Sequence, residues 1–159
     1  MPEEIRPMPR PAAAAAARRR VHALLKQEHK SLVDALRAVE DAADAVAQAQ
    51  AAEAALAALE RHWALENDAF YPAVAPAAQD RVDEAEVEHA SMAALVNQIR
   101  AGGPSDPKFM ARVKVLGEYL RHHAAEEEGP LFAALEAVVL PWDAIEQRLV
   151  GYLARAQKE

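Results

Sequence analysis

Six polar side chains stand on stripes of this sequence that would otherwise be apolar: His29, His62, Glu66, His89, His123 and Glu127. Their intervals repeat. His29 and His62 are 33 residues apart, His89 and His123 are 34 apart, and each second histidine is followed four residues later by a glutamate. The chain therefore reads as two helical hairpins, each with a lone histidine and then His-x-x-x-Glu. Residues four apart share one helix face, with Cβ atoms about 6 Å apart, so a His and a Glu so placed can reach one metal cluster. The doublet Glu28-His29 returns as Glu88-His89. Together the six make an N₄O₂ cage whose carboxylates can bridge two cations.

Imidazole with carboxylate suits iron, manganese or zinc, and a bridged pair of six-coordinate ions points to iron or manganese. Two octahedral ions need about twelve positions; four imidazoles, two bridging carboxylates and a bridging oxide or hydroxide fill about ten. About one position per metal stays open for a small molecule. The competing reading is a metal-free bundle with a polar core. Burying unpaired carboxylates is costly, and no Lys or Arg lies on these stripes to neutralise them. A cation supplies that charge. His122 and Glu126 are the alternative fourth-helix pair, since they would make both histidine intervals 33. His123 and Glu127 are preferred because they continue the register of Leu116 and Leu120 and place Leu131-Phe132 as Phe70-Tyr71 follows Glu66. His22 lies one heptad before His29, about 10 Å along the axis, too far to share its metal. It is expected to be partly exposed at the bundle's end. Tyr71 and Trp63 are read as packing residues, with Tyr71 also able to donate a hydrogen bond behind a ligand; Glu126 and Glu128 are read as solvated.

The elements that must carry these residues follow from composition and pattern. The 159 residues are rich in Ala, Leu and Glu with 5% aromatics, a helix-forming mixture sized for one domain. A net charge of −7 argues against general nucleic-acid affinity, which needs a basic face. The absence of cysteine excludes disulfides, thiolate zinc, iron–sulfur clusters and cysteine nucleophiles. No stretch reaches the roughly 18 apolar residues of a membrane span. The run Pro11 to Ala17 is followed, not preceded, by Arg18-Arg19-Arg20, the wrong order for a signal peptide. A soluble, cytoplasmic protein without a membrane or nucleic-acid partner is expected.

Residues 1–11, with four prolines, are expected to form a mobile arm, and 12–159 an all-α, up-down-up-down four-helix bundle with an additional short C-terminal helix. The first helix starts at Ala12 and shows Leu25, His29, Leu32, Leu36 and Val39 on one face; its end, between Glu40 and Val46, carries no Gly or Pro. The second runs over about 47–71, stops at Pro72, and a loop extends to Pro76. The third covers about 77–100 and ends at Gly102-Gly103-Pro104; the fourth starts near Asp106-Pro107 with Asp as N-cap. Pro130 is expected to kink the fourth helix. A last helix over 142–156 is expected to lie across the bundle as a lid.

These segments resemble the hemerythrin-like, or HHE cation-binding, family. The resemblance rests on Gln27-Glu28-His29, on His62-Trp63-Ala64-Leu65-Glu66 running to Phe70-Tyr71-Pro72, on Glu88-His89, and on His123 to Glu127 with Leu131-Phe132. It covers about residues 20 to 135. It implies that His29, His62, Glu66, His89, His123 and Glu127 ligate a non-haem di-iron centre, oxo- or hydroxo-bridged, that meets dioxygen, nitric oxide or peroxide. Zinc or manganese can fill the same ligands. Other members sense, store or deliver iron, so a metal-binding module without redox turnover is the alternative; enzymatic turnover follows from neither. Ala85 stands where oxygen carriers of the family have a further histidine, which weighs against reversible oxygen carriage. Glu86 is a weaker candidate for an added carboxylate. A third possibility is an interaction bundle in which the last helix or the arm docks a partner.

Overall fold

The protein is described here by a computed structural model covering residues 10–158, so residues 1–9 of the expected arm lie outside the described residues. The described chain is helical, with four long helices, a short C-terminal one and no strand. None of its helices is long and apolar enough to cross a membrane.

Helix α1 (Pro11–Asp41) begins on the last proline of the expected arm. Proline is welcome at a first helical position, where its missing N–H has no intrahelical partner to lose. Helix α2 (Ala45–Leu65) starts two residues earlier than the sequence suggested. Its N-cap is Asp44, whose carboxylate accepts the Ala47 N–H at 2.8 Å. That cap ends the weakly punctuated junction after α1 without Gly or Pro.

Pro72 does not stop the second helix. Glu66–Phe70 form a π-helical turn in which Tyr71 N–H reaches back five residues to the Glu66 carbonyl, and α3 (Tyr71–Gly102) continues from it. A π turn holds one extra residue, which relieves the crowding a proline ring meets against the preceding α-turn. The chain instead bends at Ala78, where φ is −151° and ψ 47°, two residues after Pro76 has left the Pro72 carbonyl without its donor. Helix α4 (Phe109–Glu126) starts later than expected. Asp106 caps the turn before it, accepting Lys108 N–H and an Arg112 guanidinium N–H, each at 2.8 Å. The kink expected from Pro130 takes the form of a second π turn, Glu127–Leu131, which runs into α5 (Phe132–Leu135). Helix α6 (Trp142–Ala156) closes the described chain.

Helix α1 packs on α2, α4 and α6, and α3 packs on α4. The core is divided in two. One cluster gathers Leu25, Phe70, Tyr71, Leu131 and Phe132 with Trp142 and Leu149 of α6. The other holds Leu32, Leu59, Met92, Val96, Leu116 and Leu120. Every site histidine falls on a stripe at the seam between them, so the polar residues form a layer with apolar packing above and below. The last helix is thus part of the first cluster's wall, packed on α1 and beside the first π turn.

Replacing Asp44 by Ala removes a cap that nothing else supplies and should lower unfolding free energy by about 1 kcal/mol. Urea denaturation followed by far-UV circular dichroism measures it; an unchanged midpoint would show that the cap contributes nothing.

Candidate metal centre

The six residues come together. His29, His62, Glu66, His89, His123 and Glu127 are each 5% exposed or less, and they are the polar or charged residues fully buried among those described. His122 faces solvent while His123 is buried, so the register of Leu116 and Leu120 decides between the two fourth-helix pairs. Glu86 is also exposed and adds nothing to the cage. His22 is partly buried outside the site: its ring stacks on Phe132 at 3.9 Å and meets Trp142 edge-on. Apolar burial, with Arg18 and Lys26 nearby, pushes it down to about 4.

Glu66 divides its carboxylate between two pairs of histidines. Its Oε1 lies 2.5 Å from His62 Nε2 and 3.4 Å from His29 Nε2. Its Oε2 lies 3.0 Å from His89 Nε2 and 3.5 Å from His123 Nε2. Glu127 repeats the division, with Oε1 3.4 Å from His29 Nε2 and Oε2 3.5 Å from His123 Nε2. Two half-sites result, one of His29 and His62 and one of His89 and His123, sharing both carboxylates. One donor from each of His29, His62, Glu66 and His123 lies within 4.8 Å of the others.

The donor set fits a cation better than it fits itself. His62 Nε2 stands 2.5 Å from Glu66 Oε1 yet makes no hydrogen bond, and Glu127 Oε1 is likewise buried without one. Such lone pairs and N–H groups lie side by side, aimed at common points rather than at each other. Buried polar atoms left so are rare and costly. A metal ion between them removes the cost and supplies the positive charge.

Each imidazole turns Nε2 inward and has a polar side chain near its Nδ1. Glu128 Oε2 is 3.3 Å from His29 Nδ1, and Asn67 Oδ1 is 3.2 Å from His89 Nδ1. Glu28 and Glu88 stand at ion-pair distance, 3.7 Å, from His62 Nδ1 and His123 Nδ1. The first two hydrogen bonds fix their rings, whereas His62 Nδ1 and His123 Nδ1 are buried without one and feel the nearby carboxylates through charge. The sequence expectation that Glu128 is merely solvated is therefore corrected: it reaches across from the second π turn to hold His29. The repeated Glu-His doublet was the available signal for Glu28 and Glu88. No sequence signal marked Asn67 or Glu128, whose targets lie on other helices.

Tyr71 is more than packing. Its hydroxyl, with one proton to share, lies 2.6 Å from Glu66 Oε2 and 2.8 Å from Glu127 Oε2, and 3.3 Å from His89 Nε2. Burial and the two carboxylates hold this phenol far above its ordinary range.

Charge in the layer is tightly shared. Burial alone would lower the histidines, but the facing carboxylates outweigh it. His29 is raised to about 10 by Glu127 and Glu66 and His123 to about 10 chiefly by Glu66 and Glu88. His62 is raised to about 9 by Glu66 and Glu28. His89 alone is lowered, by burial against weaker support from Glu66. Burial would raise Glu66, yet the charge on His62 and the facing imidazoles of His123 and His29 hold it well below the usual carboxylate range. Burial and the Glu66 charge push Glu127 up.

Known proteins place this geometry. Part of the chain, 78 residues or 48% of it, is 35% identical to a protein of Nostoc sp. (strain PCC 7120 / SAG 25.82 / UTEX 2576) described as a DNA nickase, and spans 22% of that protein's length. No solved structure matches the chain. The family model described as "Hemerythrin HHE cation binding domain" matches residues 20–135, a span that contains all six inward donors and the Nδ1 partners behind them. The chain belongs to the hemerythrin family of HHE cation-binding domains.

Proposed function

We propose that this protein is a hemerythrin-like non-haem di-iron protein, built on an up-down-up-down bundle, that binds or reacts with a small oxidant: dioxygen, nitric oxide or peroxide. The observation that carries the reading is the division of Glu66, one oxygen toward His29 and His62 and the other toward His89 and His123. A single cation would need only one side of that carboxylate. Iron is proposed over zinc because carboxylate-bridged, six-coordinate pairs suit it, and zinc or manganese can occupy the same donors.

A bound iron pair would supply Lewis acidity and electrons. The protein's own part is positional. Glu66 and Glu127 would bridge and neutralise the cations; His29 with His62, and His89 with His123, would hold one cation each. Glu28, Glu88, Glu128 and Asn67 keep the ring nitrogens facing inward. The two apolar clusters keep bulk water from the layer, which strengthens every charge interaction inside it. Ala85, buried one turn before His89, adds no donor, so an exogenous molecule meets fewer protein ligands than a further histidine would leave. The proposed partner is small, since nucleic acid would meet a chain of net charge −7. The DNA nickase likeness, confined to 22% of that protein, brings no strand cleavage into this reading.

Metal analysis and a visible spectrum of iron-loaded protein, repeated on His62→Ala, test the site. The wild type should carry two irons and an oxo-bridged ferric band that shifts with azide, peroxide or nitric oxide; the variant should lose most of its metal. Full occupancy in the variant would remove the site as drawn. Two irons with no response to any of the three molecules would favour the sensing, storage or delivery module instead.

Protons and metal should also compete. His29, His62 and His123 have folded values of about 10, 9 and 10 against an ordinary 6.5. Their stabilising contribution to chelator-stripped protein is therefore complete below about pH 6.5 and is lost as pH rises through 9 to 10. The melting temperature of stripped protein should fall between pH 6.5 and 10, while metal affinity rises over the same window as Nε2 protons leave. A stripped protein whose melting temperature climbs across that window would contradict the assignment.

A further inference from the structure

The two half-sites are not equivalent, and Tyr71 is the reason. Its hydroxyl touches three of the four donor atoms of one half: Glu66 Oε2 at 2.6 Å, Glu127 Oε2 at 2.8 Å and His89 Nε2 at 3.3 Å. No contact joins it to Glu66 Oε1, Glu127 Oε1, His29 or His62 among its described hydrogen bonds. The compact set of donors within 4.8 Å of one another holds both histidines of the other half with Glu66 and His123, and of the four imidazoles omits only His89.

The phenol is also firmly placed. Tyr71 is 1% exposed, packs within the apolar cluster beside Phe70 and Leu131, and directly follows the π turn that begins at Glu66. A cation entering the His89–His123 half needs the carboxylate lone pairs that the hydroxyl occupies. A cation entering the His29–His62 half does not.

We infer that the two halves load in order: the His29–His62 half takes the first cation, and Tyr71 Oη holds the His89–His123 half against the second. This rests on the metal-site reading above. The second equivalent must break charge-assisted hydrogen bonds in a dry interior, which weakens it relative to the first by about tenfold or more. The phenol thus sets a concentration range in which one cation is held and the pair is incomplete. Any chemistry that needs both cations is confined to higher metal supply.

The test is a titration of chelator-stripped full chain with cobalt(II) against a chromophoric competitor, for wild type, Tyr71→Phe, His62→Ala and His89→Ala. Circular dichroism of each variant confirms that it is folded. Wild type should show two equivalents differing by about tenfold or more, and Tyr71→Phe should bring the second close to the first. His62→Ala should lose the tight equivalent, and His89→Ala should keep it. Two equal equivalents in wild type would overturn the ordering. Loss of the second equivalent in Tyr71→Phe would also overturn it, because the phenol would then be a ligand rather than a barrier. A wild type that binds no cobalt, zinc or iron at all would instead sink the metal-site reading itself.

Discussion

Two carboxylates, Glu66 and Glu127, meet at the centre of a helical bundle with almost no exposure to water, and the rest of the site answers that fact. No Lys or Arg among the described residues reaches them. Four imidazoles do, and the protein can balance the charge in two ways, by protons on those rings or by cations among them. The values of about 9 to 10 on three of the four histidines show how strongly the carboxylates demand positive charge. Proton and metal are alternative occupants of one electrostatic vacancy. Glu127, pushed toward its neutral form by burial and by Glu66, marks how little spare positive charge the rings alone provide.

The backbone departs from a plain α-helix at both of these groups. Glu66 and Glu127 each open a π turn. In each hairpin the wider turn comes immediately after the His-x-x-x-Glu step, and each lies near a proline, Pro72 after the first and Pro130 within the second. Such turns locally loosen the helix and are frequent at functional sites. Here they also let the helices run on past the site, so that Phe70, Leu131 and Phe132 can close the apolar cluster beneath the polar layer. The prolines that look like terminators in sequence are thus tolerated where the ladder is already irregular.

This explains what was readable beforehand. The four apolar stripes and their polar interruptions carry a period of three and four, and every residue named on them from Leu25 to Leu131 is buried as the period requires. The two hairpins, the six inward donors and the His123 register are all properties of single helices. What was not readable depends on pairs of helices or on backbone irregularity. Pro72 reads as a stop unless a π turn is foreseen. Asp44 reads as one more acid in Glu40-Asp41-Ala42-Ala43-Asp44 until its carboxylate is seen on Ala47 N–H. Glu128 reads as solvated because nothing in its own helix points to His29. The Tyr71 hydroxyl is legible as a donor behind a ligand, but its two acceptors are not, since they come from two different hairpins.

The backing of the histidines carries the two-fold repeat of the sequence further than the ligands do. In each hairpin the glutamate preceding the lone histidine backs the His-x-x-x-Glu histidine: Glu28 for His62, Glu88 for His123. The residue following each central glutamate backs the lone histidine of the other hairpin: Glu128 for His29, Asn67 for His89. The pattern is complete, and it is broken in one place. Asn67 offers a neutral amide where its counterpart offers a carboxylate. An amide oxygen can orient the ring but adds little charge to its Nε2. A carboxylate behind a histidine strengthens its donation to a metal; His89 lacks that support and also faces the Tyr71 hydroxyl. Two independent features, one behind the ring and one in front of it, weaken the same half of the site. A chain whose hairpins repeat so closely elsewhere departs from its own symmetry at the half where a second cation would have to be held.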